Sequence, residues 1–179
     1  MKYQIGKNVD IIESEIGNYS TIGDNSKIFF SNIGKFCSIS WNVTIGAPNH
    51  HTNTISTHNF PFTTFWGLSD SFNIQKVKTY IGNDVWIASN VVIISGIKIG
   101  NGVVVGANSV VTRDLEEYGI YAGNPAKLLR KRFDKEIIEI LNKLKWWDLD
   151  KQIIKNNISF FKKENITKND ILKFMENIK

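Results

Sequence analysis

The stretch from Ile81 to Thr112 reads IGNDVW-IASNVV-IISGIK-IGNGVV-VGANSV-VT, and its hydrophobic pattern decides the fold. An aliphatic residue opens every group of six without a slip. These leading residues are Ile81, Ile87, Ile93, Ile99, Val105 and Val111. The position four residues later is mostly small or β-branched, and it is filled by Val85, Val91, Ile97, Val103, Ser109 and Leu115. A period of six suits neither an amphipathic helix nor an alternating strand.

Such a period predicts a short flat strand followed by a turn, repeated on three faces, so that about eighteen residues close one coil. No single coil can bury its own face, so the coils must stack and pile their leading aliphatics into one core. Glycine follows the leading residue at Gly82, Gly100 and Gly106. We expect these glycines to permit unusual backbone angles at the turns.

The first third of the chain repeats in the same way, but less regularly. Its leading aliphatics are six residues apart, except for one step of five, at Ile16, Ile22, Ile28, Ile33, Ile39 and Ile45. The small position holds Ser20, Ser26, Cys37 and Val43. Cys37 is therefore predicted to be a structural core residue rather than a reactive thiol.

The repeat is interrupted between residues 49 and 79. This segment holds all three histidines of the chain, His50, His51 and His58. It also carries several aromatic residues, which argue against disorder. Since a long segment without repeat character is usually functional or disordered, the interruption is the candidate functional loop.

The hexad repeat is not continued regularly after Thr112. A turn-rich link lies at residues 123–127, and the sequence beyond it has a helical pattern. Asp134 can cap one helix, and Thr167 with Asp170 resembles the capping box of another. We therefore predict a β-helix domain of residues 1–130 with a protruding loop at 49–79, and a helical extension of residues 131–179 that packs on it.

Charge and composition exclude several classes of protein. The net charge is +5, of which residues 113–179 carry +4, but these basic residues are interleaved with acidic ones and form no arginine-rich stripe. No nucleic-acid role is expected. No apolar stretch approaches the length of a membrane span, and a single cysteine allows no internal disulfide. We expect a cytoplasmic protein without a membrane span.

The histidine-bearing loop allows two kinds of chemistry. A zinc site would need three converging ligands, whereas His50 and His51 are adjacent and tend to point apart. No metal is therefore expected. Acyl transfer instead needs a base for the attacking hydroxyl or amine, and an imidazole that is neutral near pH 7 suits that task. A non-catalytic β-helix is the other alternative, although the aromatic loop argues against it.

The run Asn49–His58 resembles the loop of hexapeptide-repeat, left-handed β-helix acetyltransferases that act on surface polysaccharides or on xenobiotics such as chloramphenicol and streptogramins. The segments 81–87 and 123–127 carry the most specific signatures of these families. The resemblance implies that acetyl-CoA is the donor and that His50 is the general base for direct attack in a ternary complex. His51, where many relatives have proline, is the alternative base. Asn49, His51 and His58 are expected to bind substrate, although His58 can instead order the loop.

The same resemblance implies a homotrimer with the active sites between subunits. It places Ala88 and Ser89 near the thioester, and Ala107, Thr112 and Arg113 along the pantetheine and nucleotide. Lys127 and Arg130 would meet the phosphates, and Trp86 would serve both packing and the donor tunnel. The expected donor-binding set is therefore Trp86, Ala88, Ser89, Ala107, Thr112, Arg113, Lys127 and Arg130.

Two further motifs disagree about the acceptor. The spacing of Thr52, Ser56, Thr57 and His58 resembles the polysaccharide branch. Residues 132–134 (RFD) and 146–148 (WWD) resemble the xenobiotic branch. We expect the acceptor to be the hydroxyl of a sugar or polysaccharide precursor. The alternatives are a chloramphenicol- or streptogramin-type hydroxyl and the amino group of an amino sugar.

Overall fold

The computed structural model describes residues 2–70, 72–73 and 76–178, which form a parallel β-solenoid and a group of α-helices. The strands in chain order are β1 (Gln4–Ile5), β2 (Asp10–Ile12), β3 (Glu15–Ile16), β4 (Thr21–Ile22), β5 (Lys27–Phe29), β6 (Ser31–Ile33), β7 (Ser38–Ile39), β8 (Thr44–Ala47), β9 (Thr79–Ile81), β10 (Trp86–Ile87), β11 (Val92–Ile94), β12 (Lys98–Ile99), β13 (Val104–Val105), β14 (Val110–Val111), β15 (Gly119–Ala122) and β16 (Lys127–Lys131). These short strands are what a six-residue repeat predicts, so the predicted mainly β solenoid with C-terminal helices is confirmed.

Within the described residues the strands lie in three sheets, which are the faces of a prism. Face A has the order β1-β4-β7-β10-β13-β15-β16, face B β14-β11-β8-β5-β2, and face C β12-β9-β6-β3. The chain visits A, B and C in turn, and each strand lies parallel to its counterpart in the next coil. The left hand of the coil stays a prediction from the family resemblance.

The core is built by leading aliphatics that stack directly above one another. On face B, Ile28 pairs with Ile45, which pairs with Ile93, which pairs with Val111. All four side chains are fully buried. Each such residue contributes roughly 1.5–3 kcal/mol by leaving water. The interior is therefore one continuous hydrophobic column, as the repeat predicts.

The coils differ in length, which explains the irregular step at Ile33. On face A, Thr21 pairs with Ser38 across a separation of 17 residues, whereas Trp86 pairs with Val104 across 18. Early coils therefore turn from face B to face C with one residue fewer. Leu115 was misplaced by the sequence pattern, because it pairs with Ile99 at the leading position of face C and not at the small position.

Buried serines occupy several small positions because their hydroxyls bond the backbone of adjacent coils. Ser20 donates to the Gly34 carbonyl at 2.8 Å and accepts from the Cys37 N–H at 2.9 Å. Ser26 bonds Ser40 and Val43 in the same way. A buried hydroxyl that is paired on both sides avoids the desolvation penalty of an unsatisfied polar group.

Cys37 shares this inward environment, and its thiol donates to the Gly82 carbonyl at 3.1 Å. Burial raises the pKa of the Cys37 thiol to about 11. The thiolate is therefore scarce at neutral pH, in agreement with the predicted structural role.

Except at Gly46, the glycines after the leading aliphatics serve a purpose different from the predicted one. A Cβ on Gly34 would lie 2.5 Å from the Gly82 carbonyl oxygen, so these glycines permit the close approach of adjacent coils. Left-handed angles occur at Gly46, with φ of 77°, and at several turn residues that include Asn42, Asn90 and Asn108, with φ of 56°, 59° and 59°. Asparagine tolerates this conformation better than most side chains.

Residues 130–179 form a second compact unit. Its helices are α1 (Lys135–Leu144), α2 (Lys151–Asn156), α3 (Ile158–Phe161) and α4 (Lys168–Asn177). Asp134 caps α1 by accepting from the Ile137 N–H, and Thr167 forms a complete capping box with Asp170 on α4, both as predicted. α1 packs against α4, and Phe160 stacks on Phe174 with ring centroids 4.0 Å apart. Docking of this unit on the β-helix stays a prediction.

We expect Gly34→Ala to destabilise the solenoid by about 1–3 kcal/mol, because the new methyl group would overlap a rigid backbone carbonyl in the next coil. Gly106→Ala is the matched control, since its Cβ would approach the Ala122 methyl group to 3.1 Å and a backbone carbonyl, that of Tyr121, only to 3.5 Å. Thermal or denaturant unfolding of the two variants measures the difference. Equal stability of the two would contradict close approach as the reason for glycine at this position.

Candidate active site

The functional loop replaces one turn of the prism. It leaves face B after Ala47 at the end of β8 and returns to face C at Thr79 in β9. In the next coil the corresponding turn is short and begins at Ser95, whose N–H donates to the Ala47 carbonyl at 2.9 Å. The loop therefore emerges at the corner between faces B and C, called the B–C corner, formed by the residues that follow β8, β11 and β14.

A cavity of about 410 Å³ lies between the loop and this corner. It is lined by Phe30, Pro48, Asn49, His50, His51, Thr57, His58, Asn59, Phe62, Phe72, Lys76, Val77 and Ser95. All three histidines thus border one space, together with Asn49. Most of the remaining lining is aromatic or aliphatic, which makes the cavity a candidate for binding a small molecule.

His50 is held by the main chain of its own loop. Its Nδ1 lies 2.7 Å from the Thr57 carbonyl oxygen. Because a carbonyl oxygen can only accept, the hydrogen bond requires the proton on Nδ1. The neutral ring then has its lone pair on Nε2, the arrangement that a general base needs.

The other two histidines are engaged differently. His51 stacks on Phe62, with ring centroids 4.1 Å apart. His58 accepts a hydrogen bond on Nδ1 from the Phe60 N–H at 3.1 Å, so its neutral ring carries the proton on Nε2. His58 therefore orders the loop through its Nδ1 and can offer only a donor on the opposite nitrogen. Its proton position is the reverse of that in His50.

Two polar pairs tie the loop to the prism around the cavity. Asn49 donates from Nδ2 to the Ser95 hydroxyl at 3.2 Å. Lys76 forms an ion pair of 2.5 Å with Glu13, and its ammonium lies 4.9 Å from the centre of the Phe30 ring. The first contact fixes the start of the loop, and the second fixes its end.

The residues predicted to bind the donor fall on two different corners of the prism. Ala88, Ser89 and Ala107 follow face A strands at the corner between faces A and B, called the A–B corner and formed by the residues after β7, β10 and β13. Thr112 and Arg113 follow β14 at the B–C corner, the corner from which His50 emerges. One chain therefore does not gather the whole predicted set.

The remaining predicted donor residues lie on outer strands. Trp86 is 53% exposed on face A, although it is a large apolar side chain. Lys127 begins the edge strand β16 and is exposed. Arg130, further along that strand, belongs to the helical unit and donates to the Lys131 carbonyl at 3.2 Å.

Neither a metal site nor a membrane span stands out in the described part of the chain. Across residues 2–70, 72–73 and 76–178, no three side chains of His, Cys, Asp or Glu come together as a metal ion would need. No helix in those same ranges is long and apolar enough to cross a bilayer.

Sequence reasoning missed several groups at this site. The carbonyl that orients His50 belongs to Thr57, and a main-chain group leaves no signature in side-chain patterns. Ser95 and Phe30 looked like ordinary repeat residues. Only the stacking of coils brings them beside a loop that starts at residue 48.

The opposite proton positions of two histidines give a direct test. Long-range ¹H–¹⁵N spectra are recorded at a pH at which both imidazole rings are neutral. We then expect Nδ1 to be protonated in His50 and Nε2 in His58, because their hydrogen-bond partners require it. His50→Gln and His58→Gln variants assign the two signals. A His50 ring that is protonated on Nε2 would contradict the geometry described above.

Residues 78–113 match the family described as bacterial transferase hexapeptide (six repeats). A probable macrolide acetyltransferase from Lysinibacillus sphaericus is 41% identical over 155 residues, which cover 82% of each chain.

Two solved structures share the fold, each at 24% identity, a level at which the likeness concerns the fold alone. The first is a maltose O-acetyltransferase from Clostridium difficile 630, with a TM-score of 0.61 over 74% of this chain and 68% of that one. The second is a hexapeptide-repeat acetyltransferase from Vibrio cholerae complexed with acetyl coenzyme A, with a TM-score of 0.58 over 73% and 72%. Through its repeat, its fold and its extended identity to the macrolide enzyme, the chain belongs to the hexapeptide-repeat acetyltransferases.

Proposed function

We propose that this acetyltransferase moves an acetyl group from acetyl-CoA to a hydroxyl group on a largely apolar acceptor, with His50 as general base. The observation that carries the proposal is the bond from His50 Nδ1 to the Thr57 carbonyl beside a cavity with aromatic walls. The bond leaves Nε2 free to accept a proton. The cavity offers room for the acceptor next to it.

The reaction needs no covalent enzyme intermediate. His50 Nε2 takes the proton of the acceptor hydroxyl as its oxygen attacks the thioester carbonyl. The tetrahedral adduct then expels the CoA thiolate, which receives that proton back from the imidazolium. The Thr57 carbonyl keeps accepting from Nδ1–H throughout, so it holds the ring in place and stabilises its charged form.

The donor is proposed to lie along the A–B corner. Its thioester would sit at Ala88 and Ser89, its pantetheine would pass Ala107, and its phosphates would extend toward Lys127. The small side chains at Ser89 and Ala107 leave room for a narrow chain, and an exposed ammonium suits phosphate groups. The complex of the Vibrio cholerae protein with acetyl coenzyme A supports this donor. The role of Arg130 stays a prediction from sequence.

A homotrimer is proposed because the reaction must bring His50 at the B–C corner to the thioester at the A–B corner, and one chain holds these two positions apart. Corner positions on one coil are about six residues apart, or at most ~20 Å along the strand. Direct attack requires the reacting atoms to approach to roughly 3–3.5 Å. A second copy that presents its A–B corner to the B–C corner of the first would bring its thioester to His50. The half-exposed Trp86 would then be covered at the interface.

An apolar acceptor fits the cavity better than a free sugar. A sugar presents hydroxyls around its ring, and each buried hydroxyl needs a partner. Five of the thirteen lining residues are aromatic or aliphatic, at Phe30, Pro48, Phe62, Phe72 and Val77, and apolar atoms form the larger part of the cavity surface. The similarity to the macrolide acetyltransferase favours the same class. The sugar hydroxyl expected from the sequence keeps support from the likeness to the maltose enzyme, at the level of the fold.

An acceptor screen with acetyl-CoA, read by release of the free thiol of CoA, tests the acceptor class. We expect kcat/KM for a macrolide, a streptogramin or chloramphenicol to exceed that for maltose and for an amino sugar by about tenfold or more, because an apolar acceptor would bury more apolar surface against Phe30, Phe62 and Phe72. Faster turnover of maltose or of the amino sugar would overturn the apolar-acceptor proposal. It would leave the transferase itself intact.

His50→Ala is expected to lower kcat by about 10²–10⁴-fold with little change in the Kd for acetyl-CoA, because only the proton transfer is lost. His51→Ala is the matched control and should retain most of kcat, since His51 packs on Phe62. Steady-state kinetics and calorimetry measure the two effects. The opposite result, with His51→Ala inactive and His50→Ala active, would transfer the role of base to His51.

A further inference from the structure

The A–B corner carries a column of side chains in which a tryptophan follows two small residues. Trp41, Ser89 and Ala107 each lie two residues beyond a buried leading aliphatic of face A, at Ile39, Ile87 and Val105, which pair in register. The backbone continues this register, because the Asn90 N–H donates to the Trp41 carbonyl at 3.2 Å and the Asn108 N–H to the Ser89 carbonyl at 3.0 Å. The three residues therefore stack along the prism axis.

This column is rigid because the next residue in every coil is an asparagine in the left-handed conformation. Asn42 donates to Asn90 at 3.2 Å, and Asn90 donates to Asn108 at 3.1 Å. Adjacent members of the ladder are thus fixed at the coil spacing of about 4.8 Å. Trp41 cannot withdraw from the column by movement of its backbone without breaking this ladder.

Trp41 differs from Ser89 and Ala107 in size, and Asp24 and Lys7 hold the same position in the two coils before it. Its indole is 58% exposed, so the chain itself does not bury it. Ser89 and Ala107 have small side chains, and Trp41 is the next residue of the column in the register of face A. Nothing in the hexad repeat demands tryptophan here, because the position points outward and takes serine and alanine in the coils above.

This inference rests on the proposed position of the donor. Along face A the strand order is β7, β10, β13, β15 and β16, so Lys127, Ala107, Ser89 and Trp41 follow one direction. A donor with phosphates toward Lys127 and a thioester at Ser89 would direct its acyl group to the next coil, where Trp41 stands. We propose that Trp41 determines acyl-chain specificity by limiting the donor to short acyl groups such as acetyl.

The physical basis is the distance of one coil. An acetyl group adds one methyl beyond the thioester carbonyl and fits within the coil spacing of about 4.8 Å, in contact with the apolar indole. A butyryl group adds two methylenes and would collide with an indole that is held by the asparagine ladder. Pockets discriminate single methylenes by about 10–200-fold, so a butyryl donor should be strongly disfavoured.

Calorimetric titration of the full-length protein with acetyl-, propionyl-, butyryl- and hexanoyl-CoA tests the proposal without requiring the true acceptor. We expect Trp41→Ala to raise the ratio of butyryl-CoA to acetyl-CoA affinity by about 10-fold or more, and Trp41→Phe to give an intermediate ratio. A ratio within one variant is insensitive to small losses of stability. Turnover with the best acceptor of the screen should show the same change in kcat/KM ratio.

Tyr80→Ala is the matched control, because Tyr80 is a half-exposed aromatic on face C, away from this column. The ratio of butyryl-CoA to acetyl-CoA affinity in Tyr80→Ala should equal that of the wild type. If wild type binds acetyl-CoA but Trp41→Ala leaves the ratio unchanged, the role of Trp41 is overturned while the proposed function stands. Equal affinity of the wild type for butyryl- and acetyl-CoA would also overturn the role of Trp41 and leave the proposed function intact. If the wild type binds no acyl-CoA, the proposed donor and the role of Trp41 both fail.

Discussion

The in-register stacking of one coil on the next is the constraint on which the rest of this structure depends. Backbone pairing between coils requires each leading aliphatic to lie directly above its counterpart, as Ile28, Ile45, Ile93 and Val111 do. It also requires small residues where the backbones approach closely, such as Gly34 against Gly82. Because register is set by both requirements, outward-facing residues at equivalent positions form straight columns along the prism.

These columns determine which side chains lie next to one another on the surface of the prism. The B–C corner stacks the start of the functional loop under Ser95, so that Asn49 and His50 are positioned against a rigid edge. The A–B corner stacks Trp41, Ser89 and Ala107 beside a ladder of asparagines. A loop of about thirty residues can therefore hold the proposed base, His50, in a defined orientation, since both of its ends are fixed by the solenoid.

The predicted donor residues are divided between two corners of the prism, and this division is the structural reason to propose an assembly of several copies. A triangular prism separates its corners by the width of a face, so a single copy presents the proposed base and the proposed thioester position on different edges. A symmetric assembly of parallel prisms is the simplest way to join such edges, because each copy supplies one corner to each neighbour. The same geometry would cover the exposed Trp86 on face A.

The sequence by itself determined the solenoid, its two repeat blocks, the interrupting loop and the helix caps at Asp134 and Thr167. These follow from local spacing, and a hexad of aliphatics has few other ways to bury itself. The sequence also singled out His50, but it could not choose between His50 and His51 as base. Nor could it find what orients the ring, since the partner is the main-chain carbonyl of Thr57.

Only the tertiary structure decided which residues share a corner. The turn from face B to face C varies in length between coils, so linear counting placed Leu115 at the wrong position and gave Gly34 and its equivalents the wrong role. The stacking of Trp41 under Ser89 spans 48 residues, because the functional loop intervenes. Spacing in sequence reports the period of a coil, whereas contacts between coils depend on the length of every turn that separates them.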